Sequence, residues 1–161
     1  MINIYLGGPL FTESEQDFNR NLAEQIRAEF GELVNVYNPM ENEEINDKSG
    51  YANSIDIFEG DNAHLDKTDI LIANLDGVVI DPGMAAEIGY FYNYNRPIIG
   101  LYTDVRQGTH GNQQKIDALD EVAESQFSYI NLYVVGAVKK RGPIATSTDE
   151  LLYMLKQEIG E

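Results

Sequence analysis

Along this chain, short runs of β-branched and other apolar residues alternate with longer stretches whose apolar positions recur at helical spacing. That alternation predicts an α/β domain, a parallel sheet covered by helices on both faces. Five runs read as strands: residues 2–6, 33–37, 70–75, 98–102 and a short edge strand at 143–145. Gly7-Gly8-Pro9 ends the first, and Thr12-Glu13-Ser14-Glu15 follows as a capping-box pattern, in which the side chains at its two ends satisfy backbone N–H groups reciprocally. Phe18, Leu22, Ile26 and Phe30 then share one face of the helix so opened. Further helices are expected over 53–65, from Asp81-Pro82 onward, near 116–124 and 130–139, and over 149–159 behind a Ser147 cap. No repeat or linker interrupts the pattern, so 1–161 reads as a single doubly wound domain of flavodoxin-like form.

Two acids break this pattern. Met84, Glu87, Ile88 and Phe91 stand at i, i+3, i+4 and i+7, the spacing of one core-facing stripe, so Glu87 is expected to point inward. An inward carboxylate needs a partner or a chemical role, because burying an unpaired charge is costly. Asp61 interrupts the Ile57, Leu65 face of the preceding helix in the same way, although Gly60 beside it could instead mark the helix end. Asp81, directly before Pro82, has the ordinary role of a helix N-cap open to it. In sheets of this type ligands sit at the carboxyl ends of the strands, which would bring together 7–11, 76–81 and the loop after Tyr102.

Composition narrows the chemistry. With 161 residues and 43% hydrophobic content the chain can bury one core and is short for two. Eleven basic against 27 acidic residues give a net charge of −16, which repels nucleic-acid polymers and anionic membranes. The start, Met1-Ile-Asn-Ile, has no signal-peptide character and no run approaches the ~20 apolar residues of a membrane span, so the expected location is cytoplasmic. There is no cysteine, and His64 and His110 are far apart, so neither a metal, nor a cofactor, nor a serine-hydrolase triad is expected. Gly7-Gly8-Pro9 lacks the spacing of a phosphate loop and has no lysine or arginine nearby, which favours close backbone approach to a neutral ligand. Tyr5, at the end of the first strand, could aim its hydroxyl at Glu87, or be an ordinary half-buried strand tyrosine. Tyr90, Phe91, Tyr92 and Tyr94 suit packing and interfaces.

Taken in order, Tyr5-Leu-Gly-Gly-Pro-Leu-Phe, Asp61 with Leu65-Asp-Lys-Thr-Asp69, Ile72-Ala-Asn-Leu-Asp-Gly, Asp81-Pro-Gly-Met-Ala-Ala-Glu-Ile-Gly-Tyr and Asn131-Leu-Tyr133 resemble the nucleoside 2-deoxyribosyltransferase family over nearly the whole chain. The resemblance implies exchange of one purine or pyrimidine base for another on a 2'-deoxyribonucleoside. It makes Glu87 the nucleophile, Tyr5 the residue that holds it, and Asp61 and Asp81 contacts to base and sugar, with Gly8, Pro9, Leu10 and Phe11 in the substrate site. It also implies a homo-oligomer, dimer or hexamer, in which Asn131 and Tyr133 reach the sugar of a neighbouring subunit. At Tyr133 some members carry methionine.

Such chemistry suits these residues. Cleaving an N-glycosidic bond develops positive charge at the anomeric carbon, which a carboxylate can capture, while a second, neutral carboxyl protonates the leaving base. Asp61 is the expected proton donor. Two other readings stay open: a hydrolase of 2'-deoxynucleoside 5'-monophosphates, which Asp81 disfavours because a carboxylate opposes a dianion, and a non-catalytic nucleotide-binding module in which Glu87 is a structural acid.

Overall fold

The structure is a computed structural model and describes residues 1–42 and 51–160. The acidic loop expected over 41–50 therefore lies largely outside the described residues. Five parallel strands, β1 (Ile2–Gly7), β2 (Val34–Tyr37), β3 (Ile70–Asn74), β4 (Ile98–Leu101) and β5 (Ile144–Ala145), form one sheet in the order β2-β1-β3-β4-β5. The chain steps outward from β1 to β2 and then crosses back over β1 to β3, so the loops leaving β1 and β3 part on opposite sides of the sheet. That parting opens a crevice at the strand ends.

Alternation of side chains along the strands sends two sets of residues to two faces. Ile4, Leu6 and Ile72 pack with Leu22, Ile26 and Phe30 of α1 (Glu13–Phe30) and with Leu151 and Leu155 of the last helix. Tyr5, Leu71 and Ala73 face the other way, against Met84, Ile88 and Phe91 and against Val138. On that second face lie α2 (Ser54–Leu65), α3 (Pro82–Phe91) and, beyond the short helix α4 (Gln113–Asp117), α5 (Leu132–Lys139); α6 (Thr148–Ile159) returns to the first face.

Local chemistry sets the helix starts. The Thr12 hydroxyl accepts from Glu15 N while the Glu15 carboxylate accepts from Thr12 N, the expected capping box. Asp81 Oδ1 accepts from Met84 N at 2.9 Å ahead of Pro82, and Ser147 caps α6. α2 runs through Gly60 to Leu65 without a break, so Asp61 sits mid-helix.

Two helices differ from expectation. The segment near 116–124 is helical only from Gln113 to Asp117 and continues as a single 3₁₀ turn to Asp120. Asn112 starts it early by accepting from Gln114 N, and Val122, which is 96% exposed, gives the remainder no apolar surface to rest on. Helix α5 begins at Leu132 instead of residue 130, because the Asn131 side chain accepts from the N–H groups of Tyr133 and Val134 and so caps it.

Candidate active site

β1 ends on Tyr5, Leu6 and Gly7, and α3 packs across that end. Tyr5 is fully buried, and its hydroxyl donates to Glu87 Oε1 at 2.7 Å. The inward stripe of α3 is as its spacing predicts: Met84, Ile88 and Phe91 are buried, and Glu87 between them is half-buried. Its second oxygen reaches back over Gly7. A Cβ on Gly7 would come within 3.0 Å of Glu87 Oε2, so the absent side chain is what lets helix and strand approach there. Gly8, with φ +156°, passes so close to Asn74 that a Cβ would be 2.6 Å from Asn74 Cβ.

A groove of about 390 Å³ runs between α2 and α3. Gly83, Ala86, Glu87 and Tyr90 line it from α3, and Ser54, Ile57, Phe58, Asp61 and Asn62 from α2. Asp61 and Glu87 thus share one hollow, as their interruptions of two apolar faces suggested. Its lining has small residues on one wall and exposed apolar ones, Ile57 and Phe58, on the other.

Burial governs the charges here. It pushes the Glu87 carboxyl up to about 7; the Tyr5 hydroxyl opposes that rise by stabilising the anion, while the negative charges of Asp61 and Asp81 add to it. Burial likewise raises Asp61 above the usual carboxylate range. The Tyr5 phenol is pushed well above its ordinary value, first by burial and then by the Glu87 and Asp61 carboxylates, so it stays a donor. The groove thus holds two carboxyl groups that burial raises together, with the Asp61 charge adding to the rise at Glu87.

Asp81 stands at the N-terminus of α3, its Oδ1 committed to the cap. Of the loop after β1, Pro9 lends its carbonyl to Asn19 Nδ2 at 2.8 Å, and Phe11, 80% exposed, donates its N–H to Glu15. Gly8, Pro9, Leu10 and Phe11 stand at the strand end but do not line the groove. Neither do Asn131 and Tyr133: Asn131 faces a small hollow of about 140 Å³ with Tyr129 and Val134, and Tyr133, 90% exposed, faces a larger one of about 580 Å³ with Tyr92 and Lys140. The loops after β3 and β4 are joined by Asp76, which accepts from Thr103 N and Thr103 Oγ1, both at 2.6 Å. Among the described residues no cluster of three His, Asp or Glu side chains could hold a metal ion.

Other residues at the site had little signal in the sequence. His64 lies flat on Tyr37, ring centroids 3.6 Å apart and 11° from parallel, and Tyr37 in turn is 5.2 Å from Tyr5. The only sequence sign of this was that His64 follows Asp61 by three positions and Tyr37, like Tyr5, lies close to the end of its strand.

Compared with known proteins, the family model for nucleoside 2-deoxyribosyltransferase matches residues 4–119. A conserved protein of Enterococcus faecalis V583, known from a crystal structure, is 46% identical and superposes with a TM-score of 0.91 over 98% of both chains. The 2-desoxiribosyltransferase of Leishmania mexicana superposes at 0.65, with 18% identity, over 97% of this chain and 98% of that one. A CMP N-glycosidase of Clostridium botulinum does so at 0.50, with 18% identity, over 96% and 98%. These last two are likenesses of fold.

Proposed function

The chain belongs to the nucleoside 2-deoxyribosyltransferase family, and on that premise we propose that it exchanges nucleobases on 2'-deoxyribonucleosides through a covalent deoxyribosyl ester of Glu87. The observation that carries this reading is the Tyr5–Glu87 pair. An inward carboxylate on a groove, held by a buried phenol and forming none of the ion pairs among the described residues, is disposed to act as a nucleophile.

In the first half-reaction an ionised Glu87 oxygen bonds to C1' on the face opposite the base. The C1'–N bond breaks, its electron pair goes to the base nitrogen, and that nitrogen takes the proton of Asp61. In the second, a nitrogen of the incoming base attacks C1', the ester electrons return to the Glu87 carboxylate, and the surplus proton of the base passes to Asp61. Two inversions give net retention and ping-pong kinetics. The first half-reaction needs Glu87 ionised and Asp61 protonated at the outset; the second starts from the Glu87 ester and needs Asp61 ionised. Burial raises both carboxyls and the Asp61 charge raises Glu87 further, which supports a pair that resists losing both protons.

Ile57 and Phe58, one turn before Asp61 on α2, offer the flat apolar surface that a base requires. Among the described residues the groove lining contains no lysine or arginine, which supports a neutral nucleoside over its 5'-monophosphate. A ribose 2'-hydroxyl would crowd the nucleophile, hence the deoxy preference. Asp81 has a second oxygen for a sugar hydroxyl. Asn131 and Tyr133, which lie off the groove of their own chain, suit a cytoplasmic homo-oligomer in which each site is completed by a neighbour.

Since the fold is shared with an N-glycosidase, transfer and hydrolysis differ only in whether a base or water reaches C1'. Incubation with thymidine and free adenine separates the readings. Deoxyadenosine supports exchange, thymine without deoxyadenosine supports hydrolysis, and intact thymidine bound to the protein supports a binding module.

A further inference from the structure

Asp61 rides on a helix with little to hold it. Of the twelve residues of α2 only Leu65 is buried, while Ile55 and Phe58 are largely exposed. Apolar burial therefore cannot fix the pitch of this helix over the groove. What fixes it is concentrated at its C-terminal turn. Toward α3, Asp66 accepts from the hydroxyls of Tyr90 and Tyr94, at 2.8 and 2.5 Å, and Arg96 donates to the carbonyl of Asp66. Toward the sheet, the His64 ring lies flat on Tyr37.

Tyr37 has a further neighbour. Its Cα is in register with that of Tyr5 in the paired strands β1 and β2, and their rings meet at 5.2 Å. A continuous series of side chains thus runs from His64 through Tyr37 and Tyr5 to the Glu87 carboxylate. Asp61 precedes His64 by three residues, a separation that places both on one side of the helix.

We propose that Tyr37 and His64 are positioning residues whose stack holds Asp61 at its place beside Glu87. This rests on the reading of those two acids as proton donor and nucleophile, but the placement itself can be measured without any reaction. Losing the stack lets α2 lift at its weakest contact and admits water around Asp61. The titratable groups facing Asp61 are Tyr5 on β1, Tyr37 on β2 and Glu87 on α3, with His64 on its own helix and Lys67 just beyond.

The test compares Tyr37→Leu and His64→Leu, which remove the flat ring, with Tyr37→Phe and His64→Phe, which keep it. Carbon-13 NMR titration of the Asp61 carboxyl is read in each full-length variant, beside kcat and KM for thymidine and adenine exchange. The leucine variants are expected to titrate Asp61 at lower pH than wild type and to lose about tenfold to hundredfold in kcat with a smaller change in KM, as misplacement of a reacting group does. The phenylalanine variants should stay within about twofold of wild type, because the stack survives. Leucine variants with a lowered Tm but an unmoved Asp61 titration would overturn the proposal and leave the stack a packing contact. If wild type shows no exchange yet Asp61 still moves in the leucine variants, the positioning role stands and the transferase reading falls.

Discussion

Gly7 and Glu87 meet where β1 ends beneath α3: a Cβ added to Gly7 would stand 3.0 Å from Glu87 Oε2 and 2.7 Å from Met84 Sδ. The methionine end can swing aside, but the carboxylate oxygen is already fixed through its sibling by Tyr5. Gly7→Ala is therefore expected to fold, with an unchanged circular dichroism spectrum, and to lose about tenfold to hundredfold in kcat for exchange through displacement of Glu87. An alanine variant with wild-type kcat would show that the oxygen near Gly7 is not the one that reacts.

Two groups beside Glu87 shift its ionisation in opposite directions. The Tyr5 hydroxyl favours the anion and the Asp61 charge disfavours it, on a carboxyl that burial brings to about 7. Because an ionised Glu87 is required, the acid limb of the rate profile should fall near pH 7. Tyr5→Phe should move that limb upward and Asp61→Asn should move it downward, while both slow exchange, the latter most with the poorest leaving bases. Limbs that shift together, or not at all, contradict the assignment.

Phe58 is 65% exposed and lines the groove one turn from Asp61. Removing an exposed ring should not unfold the chain, so its effect reports on ligand alone. Phe58→Ala is expected to raise KM for the acceptor base about tenfold, in the range of a lost base–aromatic stack, at nearly constant kcat. Steady-state kinetics at saturating thymidine measure it directly.

The order of strands and helices and the inward turn of Glu87 could be read along the chain because both are local: each follows from residue spacing within one element. Asp61 was visible for the same reason. The Tyr37–His64 stack was not, since it depends on the register between β1 and β2 and on how α2 lies over them, neither of which any single segment encodes. Asn131 is a case of one residue with two readings. Its side-chain oxygen caps α5, a role the expected helix over 130–139 did not foresee, and its part in a neighbouring site is a matter for two chains. The expected helix near 116–124 shows the limit of periodicity, for apolar spacing without a surface to cover, as at Val122, does not sustain a helix.

A carboxyl lifted by burial also has a consequence for folding. In the unfolded chain Glu87 ionises near 4.5, in the native groove near 7. A raised native value means that the protonated form is favoured on folding, so its contribution to stability is complete below about pH 4.5 and is lost as pH rises through about 7. Glu87→Gln keeps an acceptor for Tyr5 and never ionises. Relative to wild type it should gain up to about 3 kcal/mol between pH 4 and pH 8, on the scale of 1.36 kcal/mol per unit of pKa. The same variant should lose exchange altogether, since an amide oxygen cannot form the glycosyl ester. Urea unfolding at the two pH values, beside the thymidine and adenine assay, measures both halves. A variant that is inactive but no more stable at pH 8 would place Glu87 in a wetter setting than its contact with buried Tyr5 implies, while one that is stabilised yet fully active would remove it from the chemistry.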